Sequence, residues 1–396
     1  MMTQRAGHAF LSKPLPLALA ILALYTALMA VQLHLHHWDV TTFITAGDIF
    51  VHREQLTAPI AILPNSPGYD GEFYYRLALD PFTRDVTAFG ITLDNPATRM
   101  QRIGYPLLGW VFSLGQIKLL PWVMVALNLA GLFIITVLST TLAARRGLPV
   151  WLGLAPAFYP GFVLTLTRDT TEIAAVTFGF TALFLALQRR PWRAAPFAAF
   201  GVITRETTLL YLAGFGLAEL LSCIKQRLWS WRLVAFALPA AVFAVWQWTI
   251  IQLWGASSYS GTAQNIGPPF AGLVRFFTAD ISAILHDVPM SYDFKLHVYY
   301  AAAAAMCVLV CGLAGLAAVK GEADTGLKLS WVLYVLLIVC LTTAIWIQPY
   351  DFLRAFSDCF AVSATLVMLS RRRWIGGALL ALVMPIWLLT VWFTLR

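Results

Sequence analysis

The chain is predicted to be all-α, a polytopic bundle of about eleven transmembrane helices, and three observations predict it. Sixty per cent of its 396 residues are hydrophobic and only 12% are charged, against roughly 25% charged in a soluble domain. The apolar residues come in long uninterrupted runs rather than at one-face spacing. Between the runs lie short basic clusters, as at the cytoplasmic ends of membrane helices.

A run of about 20 apolar residues crosses the ~30 Å hydrocarbon core as a helix. The first, Leu15–Leu33, follows Arg5 and Lys13. It is too long for a signal-peptide core, and Gln32-Leu33-His34 offers no small-residue cleavage site, so it reads as a retained anchor. The remaining expected spans are Pro121–Ala143, Leu148–Thr167, Thr170–Leu187, Trp192–Ile203, Thr207–Ser222, Ser230–Trp254, His297–Val319, Leu327–Ile347, Ala355–Ser370 and Trp374–Leu395. Tyr105–Ile117 is apolar too, but at ~1.5 Å per residue it reaches only about 20 Å. The chain is therefore one membrane domain over 1–396. It has an external loop with interfacial helices over 35–120 and a second external loop over 255–296. The five cysteines, Cys223, Cys307, Cys311, Cys340 and Cys359, lie in or beside spans without zinc-like spacing and read as packing residues.

Orientation follows from charge. If Tyr105–Ile117 lies in the outer interface, Arg145-Arg146, Arg189-Arg190-Arg193, Lys225-Arg227-Arg232 and Arg371-Arg372-Arg373 all become cytoplasmic. The 27 Lys/Arg then divide 15 inside and 12 outside, and the 19 Asp/Glu divide 3 and 16. The net +12 against −4 obeys the positive-inside tendency. The overall +8 thus belongs to the membrane's inner face and does not point to nucleic acid. The amino terminus is expected in the cytoplasm and the carboxyl terminus outside.

The same assignment puts the acidic residues of interest on one external face. The segment from Leu35 to Gly104 carries Asp39, Asp48, Asp70, Glu72, Asp80 and Asp94. Short turns carry Arg168-Asp169 with Glu172, Arg205-Glu206, and Asp351 with Arg354. Four external segments with paired opposite charges read as walls of one polar site. Within Gly68-Tyr69-Asp70-Gly71-Glu72-Phe73-Tyr74-Tyr75-Arg76-Leu77-Ala78, Asp70 opens a short surface helix, where a carboxylate can also simply cap free amides.

Asp70-Gly71-x-x-Tyr74-x-x-Leu77-Ala78 resembles the first-loop motif of the GT-C membrane glycosyltransferases, including the bacterial mannosyl- and aminoarabinosyltransferases that use polyprenyl phosphate sugars. The likeness continues through Arg99, Arg102 and Tyr105-Pro106-Leu107-Leu108, then Arg168-Asp169-x-x-Glu172 and Thr204-Arg205-Glu206-Thr207, and more weakly through Tyr350-Asp351-x-x-Arg354. It implies an inverting transfer from a polyprenyl-phosphate-linked sugar to a lipid or glycan acceptor outside a bacterial inner membrane, in building a cell envelope glycan. Asp70 is then the catalytic base. Asp39 is a rival base, because about 30 residues separate the first span from Asp70, more than in many relatives; Asp39 also begins a helix-like segment, where it would cap.

The chemistry fits these residue types. A free alcohol is a poor nucleophile at neutral pH, so a carboxylate must take its proton. The departing phosphate needs cations, and arginine's planar fork pairs bidentately with phosphate oxygens. Arg99, Arg102, Arg168, Arg205 and Arg354 are the external candidates, with Tyr74, Glu206 and Asp351 lining the substrate site. Asp169 and Glu172 are candidate ligands for a divalent cation, Mg or Mn, as the matching acid is in some relatives; the alternative is pairing with Arg168. No glycine-rich phosphate loop or appended soluble domain points to a nucleotide cofactor or nucleotide sugar, so a lipid-linked donor is expected.

Two further external segments follow. Apolar residues at 270, 273, 274, 277, 281, 284, 285 and 288 have helical spacing with one apolar face, as in an interfacial helix. Gly255–Pro269 before it is a Gly/Ser/Pro-rich loop, either a connector or a cover for the site. His34-x-His36-His37 sits at a span end, an interfacial rather than metal-binding place. The rival functions are a transporter or flippase of lipid-linked sugars and a non-catalytic assembly subunit. Ion-coupled transport usually places ionisable residues near midplane, and none stands at the centre of an expected span.

Overall fold

The computed structural model describes residues 13–261, 263–289, 291–347, 349–370 and 372–395; Arg5 and Arg371 lie outside them. The fold is all-α, with two short two-stranded pairings in the first loop, Ala46–Gly47 with Ile62–Leu63 and Thr87–Ala88 with Ile91–Thr92. Among the described residues, six helices are long and apolar enough to cross a membrane: Pro14–Leu35, Leu120–Arg145, Glu206–Gln226, Arg232–Trp254, Tyr292–Lys320 and Arg373–Thr394. A seventh is added if Pro349–Ala355 and Ser357–Leu369, bent by 52° at their break, count as one span. The chain thus has the build of an integral membrane protein.

The other expected spans are shorter or broken. Leu148–Thr167 is not one helix: it holds a 3-10 turn over Val150–Leu154 and a helix only over Pro160–Thr167. Pro156 and Pro160 explain the break, because proline has no N–H to give and its ring crowds the preceding turn. Leu327–Ile347 divides into Thr325–Val339 and Thr343–Trp346. Glu172–Leu187 and Pro191–Thr204 have 16 and 14 residues, about 24 and 21 Å at 1.5 Å per residue. The segment Tyr105–Ile117 forms a helix over Gly104–Ser113, too short to cross upright.

The shorter helices occupy the centre. All 13 residues of Ser357–Leu369 are buried, including Asp358, whose Oδ2 accepts from Thr207 Oγ1 at 2.5 Å. It packs on Tyr292–Lys320, Thr325–Val339 and Glu172–Leu187. Pro14–Leu35 lies on Leu120–Arg145, and the Tyr25 hydroxyl donates to Ala157 O at 2.6 Å while accepting from Trp387 Nε1 at 2.8 Å, tying first and last helices together. Where Leu209–Gln226 meets Thr325–Val339, a Cβ on Gly214 would strike the Ser330 amide nitrogen and Gly326 O. Small residues at such crossings let helix backbones approach and pack.

In the segment 255–296 the helix runs over Ala271–His286. Phe276 turns inward against Trp346 and Phe352 at 6.2 and 5.7 Å between ring centroids, while Val274, Ile281 and Leu285 stay exposed. The preceding loop is pinned to the end of Thr325–Val339 by Gly267 N–H to Cys340 O (2.8 Å) and Thr342 N–H to Asn265 O (3.0 Å). Cys307 and Cys359 are buried, Cys223, Cys311 and Cys340 are half-buried, and all five are free thiols.

Candidate active site

The helix Asp70–Leu79 carries the first-loop motif into the protein, with residues 71–78 all buried. Gly71 permits this: a Cβ there would meet Ile44 O at 2.7 Å and Arg168 O closer still. The helix start is therefore wedged between the first loop and the turn after Pro160–Thr167. Asp70 does not cap the helix, since Tyr69 is the N-cap residue and provides no side-chain cap. Its carboxylate faces two guanidiniums instead, with Oδ1 at 2.5 Å from Arg99 Nη1 and Oδ2 at 2.8 Å from Arg354 Nη2.

Those arginines have second partners. Asp94 takes Arg99 as a fork, Nε at 2.8 Å and Nη2 at 2.7 Å, and Asn95 caps the following helix through Thr98 N–H. Arg354 Nη2 also lies 2.8 Å from Glu172 Oε1, which in turn is 3.5 Å from Arg205 Nη1. Arg205 Nη1 donates to Arg354 O at 2.8 Å. Arg102 grips Glu206 through Nε (3.3 Å) and Nη2 (3.0 Å) and donates to the Tyr74 hydroxyl at 3.2 Å. A cavity of about 240 Å³ is walled by Asp70, Arg99, Arg102, Glu172, Arg205, Asp351 and Arg354. Four segments expected to meet do meet.

Burial opposes the charge on Asp70, but Arg99, then Arg354 and Arg102, outweigh it and hold the carboxyl well below the usual carboxylate range. Two nearby acids behave oppositely. Burial pushes Glu72 up to about 8, with the Gly47 N–H on Oε2 (2.9 Å) only partly offsetting it. Burial likewise pushes Asp169 up to about 7, against the lowering effect of hydrogen bonds from Tyr105 and Asn128.

The other expected residues are placed as follows. Asp39 is exposed and caps the 3-10 turn Val40–Ile44 through Thr41 N–H (2.9 Å) and Thr41 Oγ1 (2.6 Å); it is not among the cavity's lining residues. Asp169 lies behind the cavity, accepting from the Tyr105 hydroxyl at 2.5 Å and Asn128 Nδ2 at 3.3 Å. Arg168 pairs with neither Asp169 nor Glu172. It sits over the Tyr350 ring at 4.0 Å, with the Tyr69 ring 5.6 Å away. The two candidate cation ligands are both engaged by protein groups: arginines hold Glu172, a phenol and an amide hold Asp169, and no group of three His, Cys, Asp or Glu suited to a metal occurs among the described residues. His34, His36 and His37 are exposed at the end of the first helix.

Three contributors were not singled out from sequence. Asp94 was counted only among the external acids, yet it anchors Arg99. Tyr69 donates to Asp351 Oδ1 at 2.9 Å and lies under the Arg354 guanidinium at 4.9 Å. Asn128 is buried in the Leu120–Arg145 helix beside Asp169, and an amide inside an apolar run was a readable sign of a polar partner. The Gly255–Pro269 loop reaches the site, where Gln264 and Asn265 line the cavity. No family model matches the chain, and neither does any curated protein or solved structure.

Proposed function

We propose that the chain is an inverting membrane glycosyltransferase that moves a sugar from a polyprenyl-phosphate-linked donor to a lipid or glycan acceptor. The reaction takes place on the external face of a bacterial inner membrane. The observation that carries this reading is the carboxylate of Asp70, partly exposed and set between Arg99 and Arg354 in a cavity that Arg102 and Arg205 also line. A base beside several preformed cations is what alcohol attack with a phosphate leaving group requires.

In the reaction the acceptor hydroxyl oxygen bonds to the anomeric carbon as the carbon–oxygen bond to phosphate breaks. The bonding pair leaves with the phosphate, whose charge the arginines hold, and the hydroxyl proton passes to Asp70. One displacement inverts the anomeric centre. Glu206 and Tyr74 aim Arg102. Asp351, bonded to Tyr69, walls the cavity, and Arg168 lies over the ring of Asp351's neighbour Tyr350.

The orientation is part of the proposal: amino terminus cytoplasmic, about eleven crossings, site external. Its support is the partition of charge together with the ion pairs. Arg189, expected inside, pairs with Asp324, also expected inside; the pairs of Arg99, Arg102, Arg205 and Arg354 join only residues expected outside. The deciding experiment incubates the purified protein with a panel of polyprenyl phosphate sugars and candidate acceptors and measures transferred sugar. Transfer by the unaltered protein and its loss in Asp70→Asn support the reading. Movement of the donor across a vesicle bilayer, with no transfer from any sugar, would replace it with a flippase.

A further inference from the structure

Asp70 and its two arginines are held unequally. Arg354 Nη2 sits 2.8 Å from both Asp70 and Glu172, but the Glu172 side chain is fully buried while that of Asp70 is 21% exposed. Arg99 is gripped by Asp94 through two nitrogens and gives Asp70 only its third, Nη1. In each case the bond to Asp70 is the one an incoming group can take without unseating the arginine. The two oxygens of Asp70 bridge Arg99 and Arg354 as O–C–O, and a phosphate presents O–P–O to the same fork of donors. Arg205 Nε and Arg354 Nε are both buried and have no hydrogen-bond partner among the described residues. Both arginines wall the cavity, and buried cationic donors left without an acceptor fit a site that takes an added anion.

We infer that Asp70 stands in for phosphate in the resting protein. The arriving phosphate displaces it from Arg99 and Arg354, while Asp94 and Glu172 act as positioning residues that keep those arginines in place. The inference rests on the glycosyl-transfer reading only for what carries the phosphate.

The exchange has a chemical consequence. While two guanidiniums hold Asp70, its carboxylate is a weak base. Once they turn to phosphate, its basicity recovers beside the acceptor hydroxyl. The base is thus released by the donor itself, and Gly71, wedged between Ile44 O and Arg168 O, keeps the backbone still while the side chain swings. The number of contacts is kept, two to carboxylate being exchanged for two to phosphate, while the site gains the phosphate's negative charge, which also favours proton uptake by Asp70.

The test is phosphate binding to the full chain in detergent, by calorimetry with inorganic phosphate at constant ionic strength. Asp70→Asn removes the internal competitor and should bind phosphate about tenfold tighter, the scale of one charged contact. Asp94→Asn adds the same unit of positive charge but frees Arg99 from its fork, so it should bind more weakly than the unaltered protein. Equal tightening in both variants is a plain field effect and overturns the exchange, as does weaker binding by Asp70→Asn or no binding by any of the three proteins.

A second measurement needs no variant. Carbodiimides attack protonated carboxyls, so displacement by phosphate should raise labelling of Asp70, read by peptide mass spectrometry, about tenfold for each pKa unit regained. Labelling that is flat across the phosphate series overturns the exchange. Failure of every polyprenyl phosphate sugar in the transfer assay, with the binding contrast intact, would retire the glycosyl-transfer reading and leave the phosphate site. The reverse pattern would retire the exchange alone.

Discussion

Replacing Asp70 with Asn keeps the side chain's size but removes its charge and its capacity to take a full proton. In the folded protein the amide oxygen can still accept from one guanidinium, whereas its NH2 must face the other, so one of the contacts at 2.5 and 2.8 Å is lost. A hydrogen bond to a charged group contributes about 1.5–3 kcal/mol. Arg99 and Arg354 keep Asp94 and Glu172, so the loss in stability stays at that scale and the chain should still fold and insert. Transfer should fall by roughly 10²–10⁴-fold, the loss expected on removing a general base, which is about 2.7–5.4 kcal/mol of barrier. The assay is initial transfer rate at saturating donor, with the folded fraction matched by thermal unfolding. Asp39→Asn, made alongside, should stay within about threefold of normal, because Asn caps a turn about as well as Asp. Near-normal turnover by the Asp70 variant, with collapse of the Asp39 variant, would refute the reasoning and transfer the base to the exposed cap.

Three other outcomes follow from the same structure. Single cysteines at positions 146, 190, 225 and 372, in a cysteine-free background, should resist an impermeant reagent added outside intact membranes, while those at 70, 205 and 351 should be reached from outside; outside labelling at 146 would reverse the interfacial placement of Gly104–Ser113. Glu72 is held neutral by burial, its carboxyl raised from 4.5 to about 8, so its favourable contribution is complete below pH 4.5 and lost as pH rises through 8. Glu72→Gln keeps an acceptor for Gly47 N–H and should unfold at higher temperature than the unaltered protein, by a margin that widens over that window at roughly 1.4 kcal/mol per pH unit; parallel pH profiles would show that Glu72 is ionised in place. In the proposed reaction arginines hold the leaving phosphate, and Asp169 and Glu172 are both engaged by protein groups, so transfer should survive rigorous chelation; loss of activity, restored by Mg or Mn, would put a cation at Asp169 or Glu172.

The amino-acid sequence by itself determined what depends on local composition. Long apolar runs make helices because, in hydrocarbon, every backbone N–H and C=O must be satisfied within the segment, so Pro14–Leu35, Leu120–Arg145 and Arg373–Thr394 were legible almost to the residue. The polar segments were legible too, because Asp70, Arg99, Glu172, Arg205 and Arg354 interrupt an otherwise apolar chain. Hydropathy alone did not register Pro156 and Pro160, and the span read over Leu148–Thr167 came out as a turn and a short helix.

Tertiary structure alone decided the partners. Arg354 meets Asp70 across 284 positions of sequence, and Arg168 passes over its neighbours Asp169 and Glu172 for the ring of Tyr350. Burial is roughly additive along a chain, so composition reports it. The choice of one carboxylate by one guanidinium depends on a few ångströms between distant turns and on how much water each has lost, and both are set only when the helices that carry those turns have packed.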